Sequence, residues 1–316
     1  MAKSVSQIVR LLPSGFKVLR ASDVAVHLGI QIPCTLALPE PSHETGCAFM
    51  ERRLYDAHNH LQDDRFGGRQ SELLADCRTA GISRMVVNGV READWPQVVA
   101  LARAHPEVLP SFGYHPWYLG ERTPQWRENL VRFLDQISSA VGEIGLDRWK
   151  TGLAYEEQEV TFIAQLRLAA ERNLPVSIHC LQVWGRMLDI LKNEPRPAVG
   201  FLLHSYGGPV EMVPSFVDLG AYFSLPGYYA HERKTRQRET FQQIPIERLL
   251  IETDAPDQRL PEARGQMLTD LATGKPINHP ANLAAVYAFA AELRDVPPPE
   301  LVTQVETNFL RLFGRL

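Results

Sequence analysis

The sequence predicts a TIM (β/α)8 barrel with an N-terminal extension, and three observations support this fold class. The chain has 316 residues, a length that suits one barrel with an appendage. From about Tyr55 onward, short apolar runs alternate with helical patterns. Histidines and acidic residues stand near the ends of several of these runs. A doubly wound open sheet is the competing fold, because it shares the alternation of strands and helices.

Eight apolar runs are the predicted strands. In chain order they read RLYDAH, RMVVNGV, LPSFGYHP, AVGEIGLD, PVSIHC, GFLLHSY, AYFSLPG and LLIETDAP. Helical patterns are predicted over about 69–80, 94–104, 123–138, 155–172, 183–193, 209–218 and 234–243, with two more over about 281–294 and 298–313. A TIM barrel requires eight strands that alternate with helices, so these elements favour it over the open sheet.

Residues 1–49 differ from the rest of the chain because they show no sustained helical or strand period. We therefore predict two regions, an N-terminal extension over residues 1–49 and a hydrolase barrel over residues 50–316. Basic residues precede the first acidic residue, Asp23, which allows a targeting peptide. The favoured interpretation is that translation begins at Met50 and that the extension is disordered or not translated. A chain that starts at Met50 is expected to fold and to retain activity.

Composition excludes several classes of protein. Hydrophobic residues make up 45% of the chain, charged residues 22%, and no apolar run approaches the roughly 18 residues that span a bilayer. Four cysteines are scattered without a C-x-x-C pair, which favours reduced thiols and a cytoplasmic location. A net charge of -4 argues against a general coating of duplex DNA. The sequence predicts a protein that contacts no membrane.

The stretch YDAHNHL carries the first candidate ligands, His58 and His60. Alternate residues on a strand share a face, so both imidazoles are predicted to point into the barrel and could bind one metal ion. An H-x-H pair alone is more often structural or solvated. Asp56 shares this face and is predicted to orient one of the two imidazoles.

Four further polar residues stand at the predicted C-terminal ends of strands four, five, six and eight. These residues are Glu143, His179, His204 and Asp254. A buried acid or imidazole is costly unless it is paired or metal-bound, and strand ends meet at one rim of a barrel. The six side chains suit zinc, manganese, nickel, iron or magnesium. Six ligands exceed the need of one catalytic ion, so the sequence predicts two divalent metal ions and metal-assisted hydrolysis.

Two groups of rim residues are candidate substrate contacts. His115, at the end of strand three, is predicted either to contact a substrate phosphate or to be structural. The basic residues Arg233, Lys234, Arg236 and Arg238 follow strand seven. They are candidates for phosphate contacts, although most such runs are solvated helix faces. The aromatic residues of the rim loops are Trp117, Tyr118, Tyr228 and Tyr229. Their rings either stack on unpaired bases or pack locally.

The motifs DAHNH, GYHPW, GEIGLD, PVSIHC, LLHSY, IPIERLLIETDAP, NHPANL and TNFLRLFG follow one another in this order. In this order they resemble the TatD family of metal-dependent DNases over about residues 54–315. The resemblance implies a TIM barrel of the amidohydrolase superfamily, dependence on divalent metal and phosphodiester hydrolysis, often with 3'-to-5' exonuclease character.

On the family pattern, the candidate ligands divide between two metal sites. His58, His60 and Asp254 match the first site, and His179 with His204 matches the second. Glu143 matches the bridge between them. The resemblance also implies that Asp254 orients the attacking water or accepts its proton, so Asp254 and Glu143 are the candidate catalytic residues.

Three departures from the family pattern affect the prediction of substrate. The segment HCLQVWG places Leu181 where many members carry a basic side chain, strand six ends in HSYGG, and Asn278, His279 and Pro280 replace the usual Asn-Glu-Pro. We predict a hydrolase that acts on single-stranded or 3'-ended DNA. A small-molecule amidohydrolase or esterase on the same metals, and a non-catalytic metal-holding barrel that binds nucleic acid, are the alternatives.

Overall fold

Eight parallel β-strands follow one another around a barrel in the computed structural model of the protein, which describes residues 53–316. The strands are β1 Leu54–Asn59, β2 Ile82–Asn88, β3 Val108–Phe112, β4 Ala140–Asp147, β5 Val176–Leu181, β6 Phe201–Leu203, β7 Ala221–Pro226 and β8 Leu249–Glu252. Their order in the sheet is their order in the chain, which confirms the predicted barrel. The predicted extension over residues 1–49 and the favoured start at Met50 lie outside the described residues.

Backbone hydrogen bonds just beyond β8 join the two ends of the sheet. The Asp254 N–H donates to the His58 carbonyl at 3.0 Å, and the His60 N–H donates to the Ala255 carbonyl at 2.8 Å. The buried Asp56 carboxylate adds a second link, because it accepts from the Thr253 N–H at 3.0 Å and from the Thr253 hydroxyl at 2.6 Å. The barrel is thus fastened at the rim that carries the candidate ligands.

The role predicted for Asp56 is wrong. Its carboxylate accepts from the His58 backbone N–H at 3.2 Å and from the Asn59 side chain at 3.1 Å, besides the two Thr253 donors, so its hydrogen bonds go to backbone, amide and hydroxyl groups and not to an imidazole. The Ser177 hydroxyl contacts His58 Nδ1 instead, at 2.7 Å. The alternation rule placed Asp56 on the correct face, but it could not show which donors a fully buried carboxylate would meet.

Nine α-helices cover the described part of the chain. They are α1 Gln70–Thr79, α2 Trp95–Ala104, α3 Trp126–Gln136, α4 Tyr155–Arg172, α5 Trp184–Asn193, α6 Val213–Asp218, α7 Thr235–Gln243, α8 Leu283–Arg294 and α9 Pro298–Phe313. Each corresponds to a predicted helix, with ends that differ by a few residues. The longest, α4, ends where Asn173 adopts a left-handed conformation with φ 50°, a common helix terminator. None of these helices combines the length and apolarity needed to cross a membrane.

A short antiparallel hairpin follows β8 and was not predicted. Its strands are β9 Met267–Thr269 and β10 Pro276–Asn278. Each strand has three residues and β9 is largely exposed, so the sequence offers no alternation long enough to detect. Gly274 has φ 69° in the connecting turn, a conformation that favours glycine.

The strands are buried along almost their whole length, and this burial leaves little room where β4 passes β5. A Cβ atom on Gly145, where φ is 155°, would lie 1.9 Å from the His179 carbonyl oxygen. Only glycine therefore allows this close approach. The consequence is functional, since the approach of β4 to β5 places Glu143 and His179 side by side at the rim.

Candidate metal centre

The six side chains predicted as ligands meet at the C-terminal rim of the barrel. Glu143 and His179 lie on β4 and β5, and His58 lies on β1. The others lie just beyond a strand: His60 directly after β1, His204 directly after β6 and Asp254 two residues after β8. All are buried except His60, whose side chain is 12% exposed. Sequence spacing alone therefore identified a real spatial cluster.

The two carboxylate oxygens of Glu143 face two different groups of ligands. Oε2 lies 3.4 Å from His58 Nε2 and 3.2 Å from His60 Nε2. Oε1 lies 3.0 Å from His179 Nδ1 and 2.9 Å from His204 Nε2. Asp254 Oδ1 joins the first group, at 3.5 Å from His60 Nε2. One carboxylate thus stands between two sets of nitrogen and oxygen donors.

Hydrogen bonds behind two of the imidazoles fix which nitrogen faces the centre with a lone pair. His60 Nδ1 lies 2.8 Å from the Asn88 carbonyl, which only accepts, so Nδ1 carries a proton and Nε2 has the lone pair when the ring is neutral. His179 Nε2 lies 2.9 Å from Asp147 Oδ2, so Nδ1 faces Glu143 with the lone pair when that ring is neutral. Lone pairs aimed at carboxylate oxygens repel them unless a cation or a proton lies between.

The charges of the cluster call for positive charge at its centre. Burial raises the pKa of Glu143, but the surrounding histidines, His115 and His204 foremost, outweigh burial and hold that pKa well below its usual value. Burial lowers the pKa of His60, yet the facing Asp254 and Glu143 hold it well above its usual value. Protons and metal ions compete for such lone pairs. The donor set therefore fits divalent cations, and these residues could hold them.

Four cavity-lining residues other than glycine have left-handed backbones, namely Gln182 with φ 58°, Ser205 with φ 44°, Asp254 with φ 50° and Gln258 with φ 47°. Asp254 is itself a candidate ligand, and the others lie within four residues of one along the chain. Such conformations cost about 1–3 kcal/mol each and persist where the surroundings enforce them. At Asp254 the conformation is held by the backbone hydrogen bond from its N–H to the His58 carbonyl of β1. Strained backbone conformations thus occur at and near the candidate ligands.

His115 is a hydrogen-bond donor into the site. The Trp117 N–H donates to His115 Nδ1 at 3.1 Å, which caps the 3-10 helix Pro116–Glu121 and leaves the proton on Nε2. His115 Nε2 lies 3.3 Å from Glu143 Oε1. Burial lowers the pKa of His115 to about 4, so the ring is uncharged near neutrality. His115 thus has the structural role that the sequence offered as one alternative, and its Nε2 also faces the cluster, while contact with a substrate phosphate stays a prediction.

Sequence reasoning missed two carboxylates that stand behind the histidines. Asp147 contacts His179, and Glu252 is fully buried with an oxygen 3.7 Å from His204 Nδ1. The hydroxyls of Ser205 and Ser224 both donate to Glu252. A signal for both acids was present, since Asp147 is four residues from Glu143 and Glu252 is two residues from Asp254, the spacing of one strand face.

A cavity of about 1020 Å³ opens over the cluster. His60, His115, Glu143, His179, His204 and Asp254 form its floor, and His58 is fully buried. Its walls include the predicted aromatic residues Trp117, Tyr118, Tyr228 and Tyr229, and one residue that the sequence did not indicate, Trp149. A space of this size admits part of a polymeric substrate to the cluster.

The predicted basic run divides into two halves. Arg233 and Lys234 line the cavity, and both cations lie over the Tyr228 ring, at 5.1 Å and 4.6 Å from its centroid. Arg236 is exposed and lies outside the cavity lining. Arg238 donates to backbone carbonyls, including that of Glu232 at 3.1 Å, so it braces its own loop. The helical turn of the run carries the second half away from the cavity.

The fold is a (β/α)8 barrel, and the cluster lies at its C-terminal rim, where barrel enzymes carry their active sites. The protein therefore has the architecture of a barrel enzyme with a candidate metal centre. The family described as TatD related DNase matches residues 55–314. The chain belongs to this family.

Individual relatives cover almost the same part of the chain. It is 31% identical to the 3'-5' ssDNA/RNA exonuclease TatD of Escherichia fergusonii, over 83% of this chain and 99% of that protein. It is 29% identical to the uncharacterized metal-dependent hydrolase YjjV of Escherichia coli K12, over 83% of this chain and 98% of that protein. The crystal structure of YjjV superposes with a TM-score of 0.76 at 28% identity, covering 84% of this chain and 99% of that one.

Proposed function

We propose that this protein is a metal-dependent hydrolase that cleaves phosphodiester bonds, as a 3'-to-5' exonuclease on single-stranded or 3'-ended DNA. The observation that carries the proposal is the Glu143 carboxylate, which presents one oxygen to each of two donor groups. The names of the TatD relatives support the substrate class and polarity. The catalytic unit is assigned to residues 50–316, since every candidate ligand lies there.

We propose that the site takes two divalent ions and that Glu143 would contribute to holding both. His58, His60 and Asp254 would hold one ion, and His179 with His204 would hold the other. Divalent ions supply Lewis acidity, which activates water and offsets the charge of a phosphate. A cytoplasmic location agrees with the free, buried thiols of Cys77 and Cys180, which suit a reducing compartment.

The chain's own residues would position the substrate and move its protons. Asp254, an ionised carboxylate at the rim, would orient the attacking water and accept its proton. The His115 Nε2–H would donate to a non-bridging oxygen of the phosphate, because it already points at the centre. Arg233 and Lys234 would contact the phosphates of the strand beyond the scissile bond.

A hydrolysis assay separates this proposal from its alternatives. The protein is first freed of metal with a chelator and then supplied with Mn2+. It is incubated with a 5'-labelled single-stranded oligonucleotide, and the products are resolved by length. Stepwise shortening from the 3' end is the expected result. Cleavage of amide or carboxylic ester substrates without cleavage of the oligonucleotide would identify a small-molecule amidohydrolase. Binding of the oligonucleotide without turnover would identify a non-catalytic barrel.

Replacing His58 by alanine should weaken one ion selectively, because His58 contacts only the Oε2 side of Glu143. We expect hydrolysis to fall at limiting Mn2+ and to recover in part when Mn2+ is in excess. Bound metal, measured by elemental analysis, should fall by about one ion per chain under the limiting condition. Retention of both ions and of the full rate would show that His58 is not a ligand.

Replacing both Arg233 and Lys234 by alanine should raise KM for oligonucleotides and weaken its dependence on salt. Each lost phosphate contact should reduce the slope of log affinity against log salt by about 0.7. The matched control removes the exposed cations Arg127 and Lys192 from the outer helices α3 and α5. Equal losses in the two double variants would indicate a general charge effect and contradict the assigned contacts.

A further inference from the structure

An exposed tryptophan stands on the wall of the cavity. Trp149 lies in the loop that leaves β4, and it is 58% exposed although it is the largest kind of apolar side chain. Its ring lies near that of Trp117, with centroids 6.3 Å apart and planes inclined by 29°. Trp95, by contrast, is fully buried in the core. Trp149 therefore contributes an open indole face to the cavity rather than to the packing of the barrel.

One carboxylate holds the Trp117 indole and the backbone of Trp149. Asp147 Oδ2 accepts from the Trp117 indole N–H at 2.7 Å, and Asp147 Oδ1 accepts from the backbone N–H groups of Trp149 at 2.7 Å and Lys150 at 2.9 Å. The Oδ2 atom also faces His179 Nε2 at 2.9 Å. The residue that contacts a candidate metal ligand thus also positions the Trp117 ring and the start of the loop that carries Trp149.

The pair lies close to the place where a phosphate would react. The Trp117 ring centroid is 6.1 Å from that of His179 and 5.2 Å from that of His115. A base attached to a phosphate at the centre would therefore reach the indoles without spanning another nucleotide. Lys150 adds positive charge beside them, with its Nζ 4.5 Å from the Trp117 centroid. A flat ring linked to an anion is the ligand that this arrangement matches.

We propose that Trp149, supported by Trp117, forms a stacking site for one unpaired nucleobase next to the bond that is cleaved. This inference rests on the proposed function and specifies how that site selects its substrate. A base can leave its neighbours and stack on Trp149 only if it is unpaired, so the pair favours single strands. Stacking accepts every base, because each has a flat face, so the site confers little sequence preference.

The test combines a protein variant with a missing base. The substrates are a single-stranded oligothymidylate and the same strand with an abasic residue at successive positions from its 3' end. Trp149→Ala should raise KM on the intact strand about tenfold with little change in kcat. Trp149→Phe keeps an aromatic ring, so its KM should stay close to that of the wild-type protein. An abasic residue at the stacked position should cost the wild-type protein the same factor and cost Trp149→Ala nothing further.

Val160→Ala is the matched control, because Val160 is 70% exposed on the outer helix α4. If Trp149→Ala behaves like this control, or if the abasic strand loses the same factor in both proteins, the stacking site is refuted. If no oligonucleotide is cleaved, the proposed function fails instead. Quenching of tryptophan fluorescence by oligothymidylate in the presence of chelator then decides the inference, since Trp149→Ala should remove the quenching and Trp149→Phe should keep the affinity for the strand.

Discussion

Replacing Glu143 by alanine will remove metal from both halves of the cluster and lower phosphodiester hydrolysis by several orders of magnitude. Among the candidate ligands, which all lie in the described part of the chain, Glu143 is the one whose two oxygens face both groups, at 3.2 Å from His60 and 2.9 Å from His204. Its loss leaves each group short of one anionic donor and removes the charge that faces all four imidazoles. Excess metal should restore little of the rate, in contrast to the partial recovery expected for His58→Ala.

The measurement pairs bound metal, from elemental analysis, with kcat and KM on a single-stranded oligonucleotide. Glu128→Ala is the control, because it removes an exposed glutamate from the outer helix α3. Circular dichroism and the thermal midpoint show whether the barrel remains folded. A Glu143→Ala protein that is folded, retains both ions and turns over at the wild-type rate would be incompatible with a shared carboxylate.

Replacing Asp254 by asparagine should have a different effect, in which metal remains largely bound while kcat falls. The amide keeps an oxygen near His60 and His58 but loses the charge that orients water and accepts its proton. Burial raises the pKa of Asp254, yet the facing His60, His204 and His58 outweigh burial and lower that pKa, so the wild-type residue is ionised. We expect kcat to fall by about 100-fold or more with little change in KM.

The roles assigned to Glu143 and Asp254 are tested by comparing bound metal and kcat in the two variants. A loss of metal in Asp254→Asn equal to that in Glu143→Ala would make Asp254 an essential ligand and leave its role as a base unsupported. Wild-type turnover in Asp254→Asn, measured at saturating Mn2+, would rule out that role altogether. Pre-steady-state kinetics place the loss, because an effect on proton transfer slows the chemical step and leaves substrate binding unchanged.

The order of the elements and the six-residue cluster were accessible from sequence because both follow from strand periodicity. Alternate residues share a face and parallel strand ends share a rim, so His58 and Asp254 could be brought together without coordinates. The direction of each side chain was not accessible in this way. The Asp56 carboxylate accepts hydrogen bonds from groups other than an imidazole, and Arg236 lies outside the cavity lining. Both outcomes depend on tertiary contacts.

Residues that act through others escaped detection for a related reason. Asp147 shares the face of Glu143, but only the approach of β4 to β5 at Gly145 shows that it contacts His179. Trp149 follows an acidic strand end in a loop, where sequence gives no period to interpret. Its significance depends on exposure and on the distance to Trp117, both of which are properties of the folded chain.

The central claim is that hydrolysis of a phosphodiester depends on two divalent ions held around Glu143. The most direct measurement adds Mn2+ stepwise to protein that a chelator has freed of metal. It follows both bound metal and the rate at which a single-stranded oligonucleotide is shortened. The rate should be negligible in chelator, rise with added Mn2+ and level off at about two bound ions per chain. A full rate in excess chelator, or a rate that is complete with one bound ion, would contradict the account.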